Sequence, residues 1–267
     1  MLKDVISILD LSKLKTKYIG KKYFFYSNIS STNDIAKNSW KTNDTGTIFL
    51  AQTQNKGKGK NSKNWFSPKG GLYLSILIKE KKLSLKILQQ IPLLTALCVC
   101  KTLKEFNVTT YIKWPNDIIL NNKKLGGILC ESKFKNNCID YIIVGIGLNI
   151  NSLNLNNNSL ENIFTSLKNE FNIDFQINDI LCCFLNNFEE LWEQLLKTGF
   201  NNEFLDLYKK NSIILNKTVL LLNENKREIV YVLDILNTGK LVCKTSNGLI
   251  KHFVSGDVSI RGLNGYI

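Results

Sequence analysis

The chain has 267 residues, 44% of them hydrophobic, and its 35 lysines and arginines against 22 acidic residues give a formal net charge of +13. That is apolar material for a proper core, in one large domain or a large domain with a small companion. It excludes a membrane span of roughly 18 consecutive apolar residues, because the longest apolar stretch, near Ile91 to Cys100, is interrupted.

The first residues, Met1-Leu-Lys-Asp-Val-Ile-Ser7, lack an uninterrupted apolar run and a small-residue cleavage site, which predicts a cytoplasmic protein. Seven cysteines, an odd count scattered through apolar stretches, read as reduced core residues. No pair has zinc-knuckle spacing, and a lone histidine, His252, leaves nothing for Ser-His-Asp or Cys-His chemistry near an early motif. The charge invites a nucleic-acid reading. It is diffuse, however: Arg227 and Arg261 are the only arginines, and lysine accompanies asparagine and isoleucine everywhere.

In chain order, Val5 to Leu14 is one short amphipathic segment, too little for a helix-turn-helix, which predicts no specific DNA binding. Gly46 to Gln52 and Leu72 to Ile78 read as strands, and Leu85 to Phe106 has helical spacing of apolar residues. Short strands are predicted at Thr110 to Lys113, Ile118 to Leu120, Gly127 to Glu131 and Tyr141 to Ile146. After the asparagine-rich loop Asn149 to Asn158, helices are predicted at Ser159 to Phe171 and Asn178 to Lys197, the latter stopped by Gly199. Strands then follow at Thr218 to Leu222, Glu228 to Leu236, Lys240 to Thr245 and Leu249 to Val254, with a hairpin signal at Asn247-Gly248. They predict a small barrel-like β domain beginning near Ile214.

Between the first two strands lies Gly57-Lys58-Gly59-Lys60-Asn61-Ser62-Lys63, followed by Trp65-Phe66-Ser67-Pro68. Glycines that allow close backbone approach, interleaved with lysines, predict a loop that orders around something negative. It is not a P-loop, since no glycine lies five residues before a Gly-Lys pair and Asn61 stands where Ser or Thr belongs. A second cluster, Lys113-Trp114-Pro115-Asn116-Asp117, ends a strand in a rigid turn. The return, Lys123-Lys124-Leu125-Gly126-Gly127, makes a hairpin presenting Lys113, Asn116, Asp117 and Lys124 at one end.

Taken together these pieces resemble the biotin–protein ligases, in that family's order. Ser31-Thr32-Asn33 comes first, then Gln54 with the basic loop, Gly71-Leu72-Tyr73, the Lys113 to Asp117 turn, Lys124 before Gly127-Ile128-Leu129 and Glu131, Gly145 to Asn149, and Gly256 to Gly262. The resemblance implies an α+β catalytic domain, 1–213, with a mixed sheet backed by helices, and an SH3-like β domain, 214–267. Ser31, Thr32, Asn33 and Gln54 would hydrogen-bond the ureido ring of biotin. Lys58 to Lys60 would wrap the adenylate, Lys124 would hold the biotin carboxylate and phosphate oxygens, and Arg261 would reach the nucleotide from the second domain. Gly57, Gly59, Trp65, Lys113, Asn116, Gly127, Gly145, Gly147 and Asn149 complete the implied binding set. Lys124, Lys60 and Asp117 are the implied catalytic residues. Asp117 would orient or deprotonate the incoming lysine, or else tie down the Pro115 turn.

The implied substrates are ATP and biotin, with Mg²⁺, and the implied partner is a biotin carboxyl carrier domain, served by a monomer or homodimer. A lipoate or octanoate transferase of related fold is the alternative, disfavoured by the Lys113 to Asp117 hairpin and by Gln54. A basic nucleic-acid-binding protein is a further one.

The loop departs from the family's usual Gly-Arg-Gly-Arg pattern, because lysine keeps the charge and loses the planar two-pronged donor. If that weakens the hold on the intermediate, Lys58→Arg with Lys60→Arg will slow release of the adenylate in a filter assay. Equal release rates would contradict it.

Overall fold

The computed structural model of the chain describes residues 11–60, 63–80, 83–136, 138–153, 163–223, 227–263 and 265–267. The expected segment Val5 to Leu14 and the loop residues Asn61 and Ser62 lie wholly or partly outside them.

Seven strands form one mixed sheet in the order β1 (Tyr23–Tyr26), β2 (Ile48–Ala51), β3 (Gly71–Ile78), β7 (Cys138–Asn149), β6 (Lys123–Lys135), β5 (Asp117–Leu120), β4 (Tyr111–Lys113). The β1–β2 pair is parallel and every other pair is antiparallel. Alternation along β3 assigns the two faces. Leu72, Leu74, Ile76 and Ile78 join the larger core, under α2 (Ile91–Glu105), α4 (Ile177–Thr198) and α5 (Asn202–Asn211). Tyr73, Ser75 and Leu77 point the other way, where α1 (Thr32–Asn38) packs Ala36 into a small cluster with Phe49, Leu77 and Ile143. Each fully buried Leu or Ile in such layers contributes roughly 1.5–3 kcal/mol.

Local chemistry explains several departures from the sequence reading. The helix predicted from Leu85 breaks into a 3-10 turn, Leu85–Gln89, and α2, because Pro92 lacks an N–H and is accommodated in a first helical turn. Of the helix expected over 159–171, residues 163–171 hold only α3 (Leu167–Phe171), started by the Ser166 side chain and ended by Asn172 at φ 54°. Strands β6, 13 residues, and β7, 12 residues, are at least twice as long as expected, since their outer ends continue as a two-stranded ribbon past the apolar stretch. Strand β1 and helices α1 and α5 carry too short or too polar a pattern to be read. Cys138 is exposed at the start of β7 and so is not a core residue, whereas Cys98, Cys100, Cys182 and Cys243 are buried; none of the seven forms a disulfide.

The second sheet, β11-β10-β9-β8-β12, is antiparallel and comprises β8 (Thr218–Leu222), β9 (Arg227–Ile235), β10 (Leu241–Thr245), β11 (Ile250–Phe253) and β12 (Ser259–Arg261). Gly248 takes φ 83° in the β10–β11 turn. This sheet leans on the Trp114-Pro115 turn: the Trp114 indole N–H donates to the Gly239 carbonyl at 2.9 Å, and the Tyr208 hydroxyl of α5 donates to the Pro115 carbonyl at 3.0 Å. No helix among the described residues is long and apolar enough to cross a membrane.

Candidate active site

The face of the sheet that α1 only partly covers carries the site. There Ser75, Gly145 and Leu129 stand side by side across β3, β7 and β6, and one step along the strands Tyr73, Gly147 and Gly127 do the same. Ser75 is fully buried, with its hydroxyl 2.8 Å from the Thr32 hydroxyl and 2.5 Å from the Asn33 amide oxygen. The Asn33 amide nitrogen donates to Glu131 at 2.8 Å. Gln54 accepts from the Thr32 backbone N–H at 2.8 Å and donates to Ser67 at 2.9 Å. Ser31 precedes α1 in extended conformation, and its side chain does not cap the helix. The result is a neutral box of donors and acceptors.

Glycine makes room for it. A Cβ on Gly145 would stand 2.2 Å from the Asn33 side chain, and one on Gly147 would stand 2.4 Å from the Trp65 indole nitrogen. Both side chains lie on the sheet only because those positions have none.

The far end of the pocket is cationic. A bulge in β6 sets Asp117 opposite Gly127 but Ile119 opposite Lys124, so that Leu125 is the extra residue. Strict alternation from Gly127 would turn Lys124 to the helix face; the bulge returns it to the site face, where its amine lies 2.5 Å from Asp117. The second oxygen of Asp117 accepts from the Tyr266 hydroxyl at 2.5 Å. Lys113, 2% exposed, donates to the Tyr266 carbonyl at 3.0 Å and sits 3.3 Å from the centre of its ring; Arg261 lies 5.1 Å from the same ring centre.

Burial pushes the Lys113 amine down to about 6; Asp117 pulls it up, while Arg261, Lys124 and Lys63 push it further down. Burial acts to raise the Asp117 carboxyl, but Lys124 and Lys113, with hydrogen bonds from Lys124 and Tyr266, hold it below the usual range. Lys60 is lowered by burial, against the pull of Asp117 and Asp257.

The basic loop folds over this pocket as a hairpin rather than an open excursion. Its ladder runs through Gln54 N–H to Ser67, Trp65 N–H to Gly57 and Gly59 N–H to Lys63. Lys58 pairs with Asp34 at 2.7 Å, and Lys60 donates to Ser255 of the second sheet's unit at 3.1 Å.

The pocket so enclosed, about 310 Å³, is at the small end of small-molecule sites. It gathers Ser31, Thr32, Asn33, Gln54, Lys58, Gly59, Lys60, Trp65, Lys113, Asn116, Asp117, Lys124, Gly127, Gly145, Gly147 and Arg261. Two expected site residues do not line it. Gly57 is buried beneath the loop, where a Cβ would meet the Trp65 carbonyl at 2.3 Å; Asn149 is 1% exposed and donates to the Thr165 carbonyl at 3.0 Å, tying down the chain behind β7. Asn116 points its amide to the Ile128 carbonyl at 2.5 Å, bracing the hairpin.

Among the lining or supporting residues that escaped the sequence reading are Ser75 and Tyr266. Ser75 had a signal, a lone polar residue inside an apolar strand, whereas Tyr266 had none. Among the described residues no three metal-ligating side chains cluster, and Asp117, the pocket's one carboxylate, is already engaged.

Lys113 gives a pH prediction. Between about 6 and the ordinary lysine value, the unfolded chain binds a proton that the folded chain refuses, so Lys113 makes stability rise with pH across that interval. Lys113→Met should melt higher than wild type at pH 7 and gain less between pH 7 and 9 in calorimetry. A lower melting point with an unchanged pH slope would contradict this.

Residues 25–149 match the Biotin/lipoate A/B protein ligase family. The bifunctional ligase/repressor BirA of Bacillus subtilis is 29% identical over 251 residues, 92% of this chain and 76% of that protein. BirA of Escherichia coli is 24% identical over 262 residues, 97% of this chain and 80% of that one. The biotin protein ligase from Aquifex aeolicus in complex with biotin and ATP superposes with a TM-score of 0.78 at 28% identity, over 91% of this chain and 99% of that chain. The matched region holds the neutral box, the basic loop and the Lys113 to Lys124 hairpin, and residues 25–149 carry a biotin/lipoate A/B protein ligase family domain.

Proposed function

We propose that the chain is an ATP-dependent biotin–protein ligase, which makes biotinyl-5′-AMP and pyrophosphate and then transfers biotin to a lysine of a biotin carboxyl carrier domain. The observation that carries this reading is one small pocket joining a neutral hydrogen-bonding box on a glycine floor to a cluster of lysines. The box suits a uncharged ureido head that both donates and accepts. The next register row, roughly 7 Å along the strands, brings the acid's tail to Lys124.

There a carboxylate oxygen of biotin attacks the α-phosphorus of ATP, and the bond from that phosphorus to the pyrophosphate oxygen breaks. Lys124 moves from Asp117 onto the reacting oxygens, Lys58, Lys60 and Arg261 supply positive charge around the phosphates, and Lys113, uncharged in the free site at neutral pH, takes up its proton as the phosphates arrive. The hairpin loop shields the mixed anhydride from water. The carrier amine then attacks the acyl carbon, AMP leaves with the electron pair of the C–O bond, and the amine proton is lost to solvent. No covalent enzyme intermediate is needed. Asp117, held in its charged form and turned toward Lys124 and Tyr266, acts as an orienting acceptor rather than a base.

The reading divides the chain into a catalytic unit, 1–213, and a unit, 214–267, that supplies Arg261 and Tyr266 to the nucleotide end. The reaction belongs in the cytoplasm, where ATP is available, and the net charge of +13 favours approach of an acidic carrier.

Purified protein should release pyrophosphate from ATP only when biotin is present, and should biotinylate an added carrier domain. No release with biotin, but turnover with lipoate or octanoate, would overturn the reading. Within it, Lys124→Gln should cut pyrophosphate release about a hundredfold, as loss of one donor to developing charge does. Gly145→Ala, which drives a methyl group into Asn33, should weaken biotin binding by about tenfold, the scale of an overpacked site, with the ATP KM little changed. Unaltered biotin affinity would refute the glycine-floor assignment.

A further inference from the structure

We propose that Tyr266 is a positioning residue for the adenylation step, sharing the Asp117 carboxylate with Lys124 so that Lys124 can leave its ion pair for the substrate. The proposal rests on the ligase reading above.

Tyr266 follows β12 and is 7% exposed, with its carbonyl accepting from the Gly262 N–H at 3.3 Å. Its side chain lines the pocket and reaches across from the second sheet's unit to the catalytic hairpin. Each Asp117 oxygen has its own partner: one takes the Lys124 amine at 2.5 Å and the other the Tyr266 hydroxyl at 2.5 Å. A carboxylate whose charge is shared with a phenol holds its cation less tightly than one with a bare second oxygen. The ring also stands between Lys113, 3.3 Å from its centre, and Arg261, 5.1 Å from it, and offers the guanidinium an attractive surface. Packing alone does not call for the hydroxyl, since phenylalanine would fill the same volume.

The hydroxyl also helps to keep Asp117 ionised. Its loss therefore moves the acidic limb of the rate profile toward higher pH, a change that a purely structural role would not produce.

The test compares wild type, Tyr266→Phe and Tyr266→Leu in biotin-dependent pyrophosphate release across pH, with biotin affinity by calorimetry and melting curves alongside. Tyr266→Phe should fold, bind biotin normally, lose about tenfold in kcat, the scale of one hydrogen bond to a charged group, and show the shifted acidic limb. Tyr266→Leu, lacking the ring as well, should in addition raise the KM for ATP. A folded Tyr266→Phe protein with wild-type kcat, or with reduced kcat and an unmoved acidic limb, would overturn the proposal. Absence of biotin-dependent release from wild type would instead overturn the ligase reading itself.

Discussion

One carboxylate organises the reactive end of this protein. Asp117 is the acidic group lining a pocket that also holds Lys58, Lys60, Lys63, Lys113, Lys124 and Arg261. Without a ligand's negative charge these cations repel one another, and for Lys113 burial and that repulsion together expel the proton at neutral pH. Asp117 offsets part of that by pairing with Lys124 and pulling against the depression of Lys113. The imbalance that remains is what an anion relieves on binding. The site is thus unstable in charge and complementary to a polyphosphate for the same reason.

The sheet separates folding from chemistry by its two faces. On one, Leu, Ile and Val of β3, β6 and β7 meet α2 and α4 and make the main core. On the other, the same strands present Ser75, Gly145, Gly147 and Gly127, positions with little or no side chain, onto which Asn33 and Trp65 can lie. A polar network then runs from that floor to the loop: Asn33 to Glu131, Glu131 to Lys37, Lys37 to Asp34, and Asp34 to Lys58. Head-group box and anion loop are therefore braced against each other. The lysines of the loop make point contacts, Lys58 to Asp34 and Lys60 to Ser255, where arginine would offer a fork.

Much of this was legible in the sequence because it is carried by local pattern. The alternation of Leu72 to Ile78, the Lys113 to Asp117 turn and the glycines at 127, 145 and 147 all keep their meaning in the fold. What escaped depends on long-range geometry. Lys124 itself was named from the hairpin, but the bulge at Leu125 that turns it to the site face is announced by no residue type. Tyr266 acquires its place from the docking of the C-terminal residues on the Lys113 to Asp117 turn. Gly57 and Asn149 look like ligand contacts in sequence but do not line the pocket; Gly57 packs under the Trp65 carbonyl and Asn149 ties down the chain behind β7, because buried positions beside a site demand small or hydrogen-bonding side chains just as the site does.

The central claim is that one pocket holds both halves of a mixed anhydride without bonding covalently to either. Rapid gel filtration of the protein after mixing with biotin and ATP labelled at the α-phosphorus, with no carrier present, tests it directly. The account predicts biotin and labelled AMP co-eluting with the protein in equal amounts and leaving together as biotinyl-5′-AMP on denaturation. Label that stays on the denatured chain, or biotin retained without AMP, would contradict it.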